Sequence, residues 1–141
     1  MTTTPRPILL IEDNPMDIDL TQRAFAQRKL ENPICVIRDG QEALDYFSNW
    51  EADTPLPLVI LLDLKLPKIH GLDVLKAIKA DTIFKKLPVV VLTSSAEDMD
   101  IAAAYELGAN SYIVKPVDFD KFMEVASQIE IYWLAINNPP A

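Results

Sequence analysis

LVILLDLKLPKIHG, residues 58–71, is the stretch from which the fold can be read. It opens on an unbroken apolar run of Leu, Val and Ile, the composition of a parallel strand buried on both faces. Asp63 closes the run, and the loop that follows carries Pro67 and leads to Gly71. A carboxylate at the C-terminal end of such a strand lies where open α/β sheets place their ligands. The pattern recurs along the chain. ILLIED (8–13) ends in Glu12 and Asp13, VVVLT (89–93) ends in Thr93, and YIVK (112–115) ends in Lys115. Four apolar runs thus bring three carboxylates, a hydroxyl and an ammonium to one edge of one sheet.

Helical signals fill the intervals. Asn14-Pro15 pairs an N-cap residue with proline at the first helical position. The helix it opens runs to about Leu30, with Ile18, Thr21, Phe25 and Arg28 along one face. ICVIRD (34–39) is a second strand, followed by a helix carrying Leu44, Phe47 and Trp50 and then by the linker EADTPLP (51–57). A third helix starts near Gly71 with Leu72, Leu75 and Ile78 facing inward. Ser95 and Asp98 form an S-x-x-D capping pattern for a fourth, and Gly108 stands where a C-cap glycine belongs. Asp118 opens a last helix that reaches about Ile136. Five strands separated by single helices predict an α/β fold, a doubly wound parallel sheet covered on both faces. With 141 residues and no internal repeat, the chain reads as one domain over 1–141, with tails at 1–6 and 137–141.

Composition narrows the function classes. The chain is 50% hydrophobic and 24% charged, a globular balance, and 13 basic residues against 21 acidic give a net charge of −8. No basic patch forms, which argues against nucleic acid as a partner. Cys35 is the one cysteine, so disulfides and cysteine metal cages are excluded, and it reads as a small buried hydrophobe. No segment has membrane-spanning length, and the chain is expected to be soluble and cytoplasmic.

The strand-end residues suggest a chemistry. Glu12, Asp13 and Asp63 cannot all stay ionised at close quarters without compensation, since two unit charges ~4 Å apart at an effective dielectric of ~20 repel by about 4 kcal/mol. A hard divalent cation relieves this, and Mg2+ suits a few carboxylates with waters completing the octahedron. Asp63 is then a nucleophile toward a phosphoryl group, Lys115 a cation to balance phosphate, and Thr93 a hydroxyl donor. Each residue alone has a plainer reading: Glu12 and Asp13 also suit a helix start, Ser95 a helix cap, and the lone His70 a structural loop position. Their common position at strand ends favours the site.

Taken together, these residues resemble the receiver domain of two-component response regulators over almost the whole length, from Ile8 to about Ile136. The paired acids match Glu12 and Asp13, and the phosphoacceptor with its proline loop and glycine matches Asp63, Pro67 and Gly71. The switch hydroxyl falls on Thr93, the aromatic switch on Tyr112, and the Lys-Pro pair on Lys115 and Pro116. The resemblance implies a flavodoxin-like strand order 2-1-3-4-5, a sensor histidine kinase as phosphoryl donor and a metal held also by the main-chain carbonyl of Lys65. It further implies a cis peptide at Pro116 and a signalling rather than enzymatic role. The long segment between strands two and three and the tail EIYWLAINNPPA are similar to single-domain regulators that partner cyanobacterial phytochromes. A haloacid-dehalogenase-type phosphatase also uses a strand-end Asp with magnesium, but it needs an acid two residues on, where this chain has Lys65.

The last helix carries a further expectation. Phe122, Val125, Ile129, Trp133 and Ile136 form one core-facing stripe, yet Ile131, Tyr132 and Leu134 fall on other faces. An end apolar nearly all round predicts either a tail folded back on its own domain or a symmetric homodimer. The homodimer reading centres on strand five and on Tyr132, Trp133 and Leu134.

Overall fold

The computed structural model describes residues 6–115 and 118–136, the side chains of 132–136 excepted. Elements alternate in chain order as β1 (Ile8–Ile11), α1 (Pro15–Gln27), β2 (Ile34–Ile37), α2 (Gly40–Asn49), β3 (Val59–Leu62) and α3 (Gly71–Ala80). A single 3-10 turn (Phe84–Lys86) follows, and then β4 (Val89–Thr93), α4 (Asp98–Glu106), β5 (Ser111–Val114) and α5 (Phe119–Ile136). The sheet has the order β2-β1-β3-β4-β5 with every pairing parallel. The expected α/β class and strand order are both present.

Strand side chains alternate between two separate cores, as a period of two requires. Leu9, Ile11, Ile60, Leu62, Val89 and Val91 pack with Phe47 of α2, Val74, Leu75 and Ile78 of α3, and Ala104 of α4. Ile8, Leu10, Val59, Leu61 and Leu92 pack instead with Ile18, Ala24 and Phe25 of α1 and with Phe122, Val125, Ala126 and Ile129 of α5. Burial on both faces explains why the strands read as continuous apolar runs rather than alternating ones. The carboxyl ends of all five strands consequently share one edge.

Several local expectations change. Arg28 is exposed at the end of α1 and pairs with Glu130 of α5 at 2.8 Å, so it ties two helices across solvent rather than facing the core. Trp50 lies past the end of α2, where its ring meets Phe84 edge-on at 5.7 Å. In α3 the fully buried positions are Val74, Leu75 and Ile78, with Leu72 only half-buried. Ser95 and Asp98 do not form a capping box. Helix α4 starts two residues later than that pattern requires, and the Ser95 hydroxyl donates to Asp100. Cys35 is half-buried on edge strand β2. His70 is structural as expected: its Nδ1 accepts the Leu72 N–H at 3.1 Å and caps α3. Asp118 likewise caps α5 by accepting the Lys121 N–H at 2.8 Å.

Helix α4 ends in a Schellman motif, with Ala109 N–H donating to Ala104 O (2.9 Å), Gly108 N–H to Tyr105 O (3.0 Å), and Gly108 at φ 101°. Helix α1 ends the same way, but its left-handed residue is Lys29 at φ 58°. Its neighbour Leu30 N–H donates to Phe25 O at 3.1 Å and Lys29 N–H to Ala26 O at 3.0 Å. A side chain in that region costs about 1–2 kcal/mol. Lys29→Gly is therefore expected to raise unfolding stability by about 1 kcal/mol, measured by urea denaturation with an unchanged m-value.

Candidate functional site

Residues just beyond the strand ends build the site. Glu12 and Asp13 follow β1, Asp63 follows β3, and Lys115 follows β5, while Thr93 is the last residue of β4. Lys115 is placed by its own N–H, which donates to Thr93 O at 2.7 Å, so the β4 and β5 ends are tied directly. Gly71 N–H donates to Leu64 O at 2.7 Å and fastens the Asp63 loop to the start of α3. A Cβ at Gly71 would fall 2.3 Å from Leu64 Cα and 2.5 Å from Asp63 O, so only glycine permits this approach. Gly40 plays the same part on the other side of the loop. Its N–H donates to Pro67 O at 3.2 Å, and a Cβ there would lie 2.4 Å from Ile69 O.

The charges converge on Lys115. Its ammonium pairs with Glu12 Oε1, with Asp17 Oδ2 at 2.8 Å and with Asp63 Oδ2 at 3.3 Å. The side chains of Lys115, Glu12 and Asp63 are 9%, 3% and 7% exposed, so this cluster is nearly withdrawn from water. The second oxygen of Glu12 accepts from Asp13 N–H at 3.1 Å and Asn14 N–H at 3.3 Å, and Asp63 Oδ1 accepts from Lys65 N–H at 3.1 Å. Burial, with Asp63 adding to it and Lys115 opposing, pushes the Glu12 carboxyl up to about 7. Burial alone would lower the Lys115 ammonium, but Asp17, Glu12 and Asp63 outweigh it and leave its pKa raised.

Glu12, Asp13 and Asp63 each place a carboxylate oxygen within 4.8 Å of the others. Three hard oxygen donors, with Asp13 exposed on the solvent side, match a divalent cation that keeps part of its water shell. The Lys65 carbonyl belongs to the same loop, whose N–H already orients Asp63.

A second network surrounds Ser95, which is 3% exposed. Its N–H donates to Thr93 Oγ1 at 3.4 Å, its carbonyl accepts from the Tyr112 hydroxyl at 2.9 Å, and its own hydroxyl donates to Asp100. Burial raises the Tyr112 phenol above its ordinary pKa, against the hydrogen bond to Ser95. The Tyr112 ring lies 6.5 Å from that of Tyr105 on α4. Thr93, Tyr112 and the start of α4 are thus linked through one serine. Sequence reasoning brought Glu12, Asp13, Asp63, Thr93, Tyr112 and Lys115 to this edge, and all are there. It missed Asp17, whose only signal was an acid three residues after the N-cap Asn14. Pro116 and the side chains of Tyr132, Trp133 and Leu134 lie outside the described residues.

Fold and site define a flavodoxin-like domain with an acid cluster and a lysine at the carboxyl edge of its sheet. The profile of the response regulator receiver domain matches residues 8–127, and the chain belongs to that family. Receiver domains are signalling modules of two-component systems, phosphorylated by sensor histidine kinases and binding a divalent metal. The chain is 42% identical over 137 residues to the probable methanogenesis regulatory protein FilR2 of Methanothrix harundinacea, covering 96% of this chain and 88% of FilR2. It is 36% identical to response regulator Rcp1 of Synechocystis, covering 97% of this chain and 95% of Rcp1. Rcp1 has been solved in a Mn2+-bound form, which superposes with a TM-score of 0.82 and covers 97% of this chain and 100% of the solved one. The phosphorylated cyanobacterial phytochrome response regulator RcpA superposes with a TM-score of 0.83 at 38% identity, covering 97% of this chain and 99% of the other. A dehalogenase-type phosphatase is not supported. Among the described residues no helix is long and apolar enough to cross a membrane.

The Glu12 shift has a definite sign. Its carboxyl moves from 4.5 to about 7, so the folded protein holds a proton that the unfolded chain has released. Metal-free stability should therefore fall as pH rises from about 4.5 to about 7 and level off above. Urea midpoints between pH 5 and 8 in the presence of a chelator check this, and Glu12→Gln should flatten the slope.

Proposed function

We propose that Asp63 is the phosphoacceptor of a response regulator whose phosphoryl donor is a sensor histidine kinase. The observation that carries this reading is the position of Asp63: a nearly buried carboxylate within 4.8 Å of a cation-ready acid pair and 3.3 Å from the Lys115 ammonium. An oxygen of Asp63 attacks the phosphorus of a phosphohistidine in line, the P–N bond breaks, and the imidazole leaves with the bonding electron pair to be protonated by solvent. Mg2+, held by Glu12, Asp13, Asp63 and the Lys65 carbonyl, would neutralise charge on the transferring phosphoryl oxygens. Lys115 moves its ammonium onto the new phosphate, and Thr93 turns its hydroxyl from Ser95 N–H toward a phosphoryl oxygen. That exchange frees Ser95, and through it Tyr112 and α4, to report the new charge of about −1.5 to −2. The chain has no turnover chemistry in this scheme beyond its own phosphorylation and slow hydrolysis, and it works in the cytoplasm.

Likeness to RcpA over nearly the full length of both chains supports a stand-alone regulator and a phytochrome-type kinase as donor. Likeness to FilR2 is to a protein named for methanogenesis regulation, so direct phosphotransfer from a candidate kinase is the test of the partner. For the acceptor, incubation with acetyl phosphate and Mg2+ followed by intact mass should give one phosphoryl adduct. Asp63→Asn should give none, because an amide is not an anionic nucleophile. A labelled Asp63→Asn protein would show that the acceptor lies elsewhere.

We also propose that phosphorylation favours a homodimer through β5 and the end of α5. Ile131 near the end of α5 is 64% exposed and Val114 on β5 is 40% exposed, two apolar side chains left open to solvent on the elements that would form the contact. Tyr132, Trp133 and Leu134 would complete that interface. Burying one such aliphatic side chain is worth about 1.5–3 kcal/mol, so Ile131→Asp should weaken self-association at least about tenfold. Sedimentation at tens of micromolar, with and without acetyl phosphate, reads the effect.

A further inference from the structure

Asp17 carries a role that the site so far leaves unassigned. It occupies the third position of α1, and its neighbour Asn14 is the N-cap, with Oδ1 accepting Met16 N–H at 2.9 Å and Asp17 N–H at 3.2 Å. An acid at that position ordinarily reaches back to the N–H of the cap residue. Here the Asn14 N–H is already taken by Glu12 Oε2 at 3.3 Å. Asp17 turns into the site instead, with its Oδ2 2.8 Å from Lys115 Nζ and its side chain 19% exposed.

The partners of Lys115 fall into two kinds. Glu12 and Asp63 are members of the acid triad whose oxygens converge within 4.8 Å, and Asp17 is not. Among the described residues, Asp17 is thus the one ion-pair partner of Lys115 outside the triad. A divalent cation entering the triad must draw Glu12 and Asp63 away from the ammonium, and the two positive charges repel. Without a second anchor, the ammonium would either hold the triad against the metal or leave the site it is needed in.

We propose that Asp17 is a positioning residue. It takes over Lys115 when the divalent cation occupies Glu12 and Asp63, and so keeps the ammonium beside Asp63 for the incoming phosphoryl group. The inference rests on the triad being a cation site, as proposed above. Charge exchange of this kind couples two sites, and such couplings are typically worth severalfold to a hundredfold in affinity.

Calorimetric Mg2+ titration of the full chain tests it. Asp17→Asn should weaken Mg2+ binding about tenfold, and Asp17→Glu should restore most of the loss. In a Lys115→Met background the same Asp17→Asn change should matter less than about twofold, because no ammonium remains to be displaced. An equal loss in both backgrounds would mean that Asp17 acts only as a distant negative charge, and would overturn the proposal, as would an unchanged affinity in Asp17→Asn. Nitrogen-detected NMR of the lysine ammonium gives a readout that needs no lysine variant. The Lys115 signal should persist on Mg2+ addition in the parent and broaden in Asp17→Asn, and persistence in both would overturn the assignment. A parent protein that takes up no Mg2+ would overturn the cation site, and this inference with it. Normal parent binding with an unaffected Asp17→Asn would overturn this inference alone.

Discussion

Everything at the carboxyl edge depends on one ammonium being surrounded by more negative charge than it can neutralise. Lys115 faces Glu12, Asp17 and Asp63, and Asp13 stands just outside. Desolvated ion pairs seldom repay the cost of leaving water unless geometry and hydrogen bonding are nearly complete. Here they are deliberately incomplete: the Glu12 carboxyl is driven toward neutrality by burial and by Asp63. The sheet tolerates this because its strands are buried on both faces, with Leu9, Ile11, Ile60 and Leu62 on one side and Ile8, Leu10, Val59 and Leu61 on the other. A site short of positive charge is a site prepared to receive a cation.

How much of this was legible in the sequence follows from what each residue answers to. The strands were readable because two-sided burial removes alternation, and the acids, Thr93 and Lys115 were readable because they terminate those runs. Asp17 was not, since its side-chain direction depends on Glu12 having already claimed the Asn14 N–H, a competition between residues on two elements. Phe84 was missed for a different reason. It is 1% exposed and meets Tyr46, Phe47 and Trp50, yet it sits on a single 3-10 turn too short to show any period. Asp81, which accepts the N–H groups of Ile83 and Phe84 at 2.8 and 2.9 Å, was the local sign of that turn. Ser95 was misread because a serine three residues ahead of an acid fits a cap equally well. Only the placement of Asp100 and Tyr112 shows that its hydrogen bonds are spent otherwise.

The two networks differ in how they are held. Around Glu12 and Asp63 the constraints, besides the Lys115 ammonium, are main-chain N–H donors from Asp13, Asn14 and Lys65. Around Ser95 they are side-chain hydroxyls, those of Thr93, Tyr112 and Ser95 itself. Backbone donors move only if the chain moves, whereas a hydroxyl changes partner by one rotation about a single bond.

The glycine contacts give that contrast a wider meaning. Gly40 and Gly71 clamp the Asp63 loop between two helix starts so tightly that not even a methyl group would fit on either side. On the proposed reading, that half of the molecule would serve as a fixed anvil against which a phosphoryl group is received without recoil. Displacement caused by the added charge would then be diverted the other way, through β4 and β5. The direction in which a signal would leave such a domain is set by which side has no room to yield.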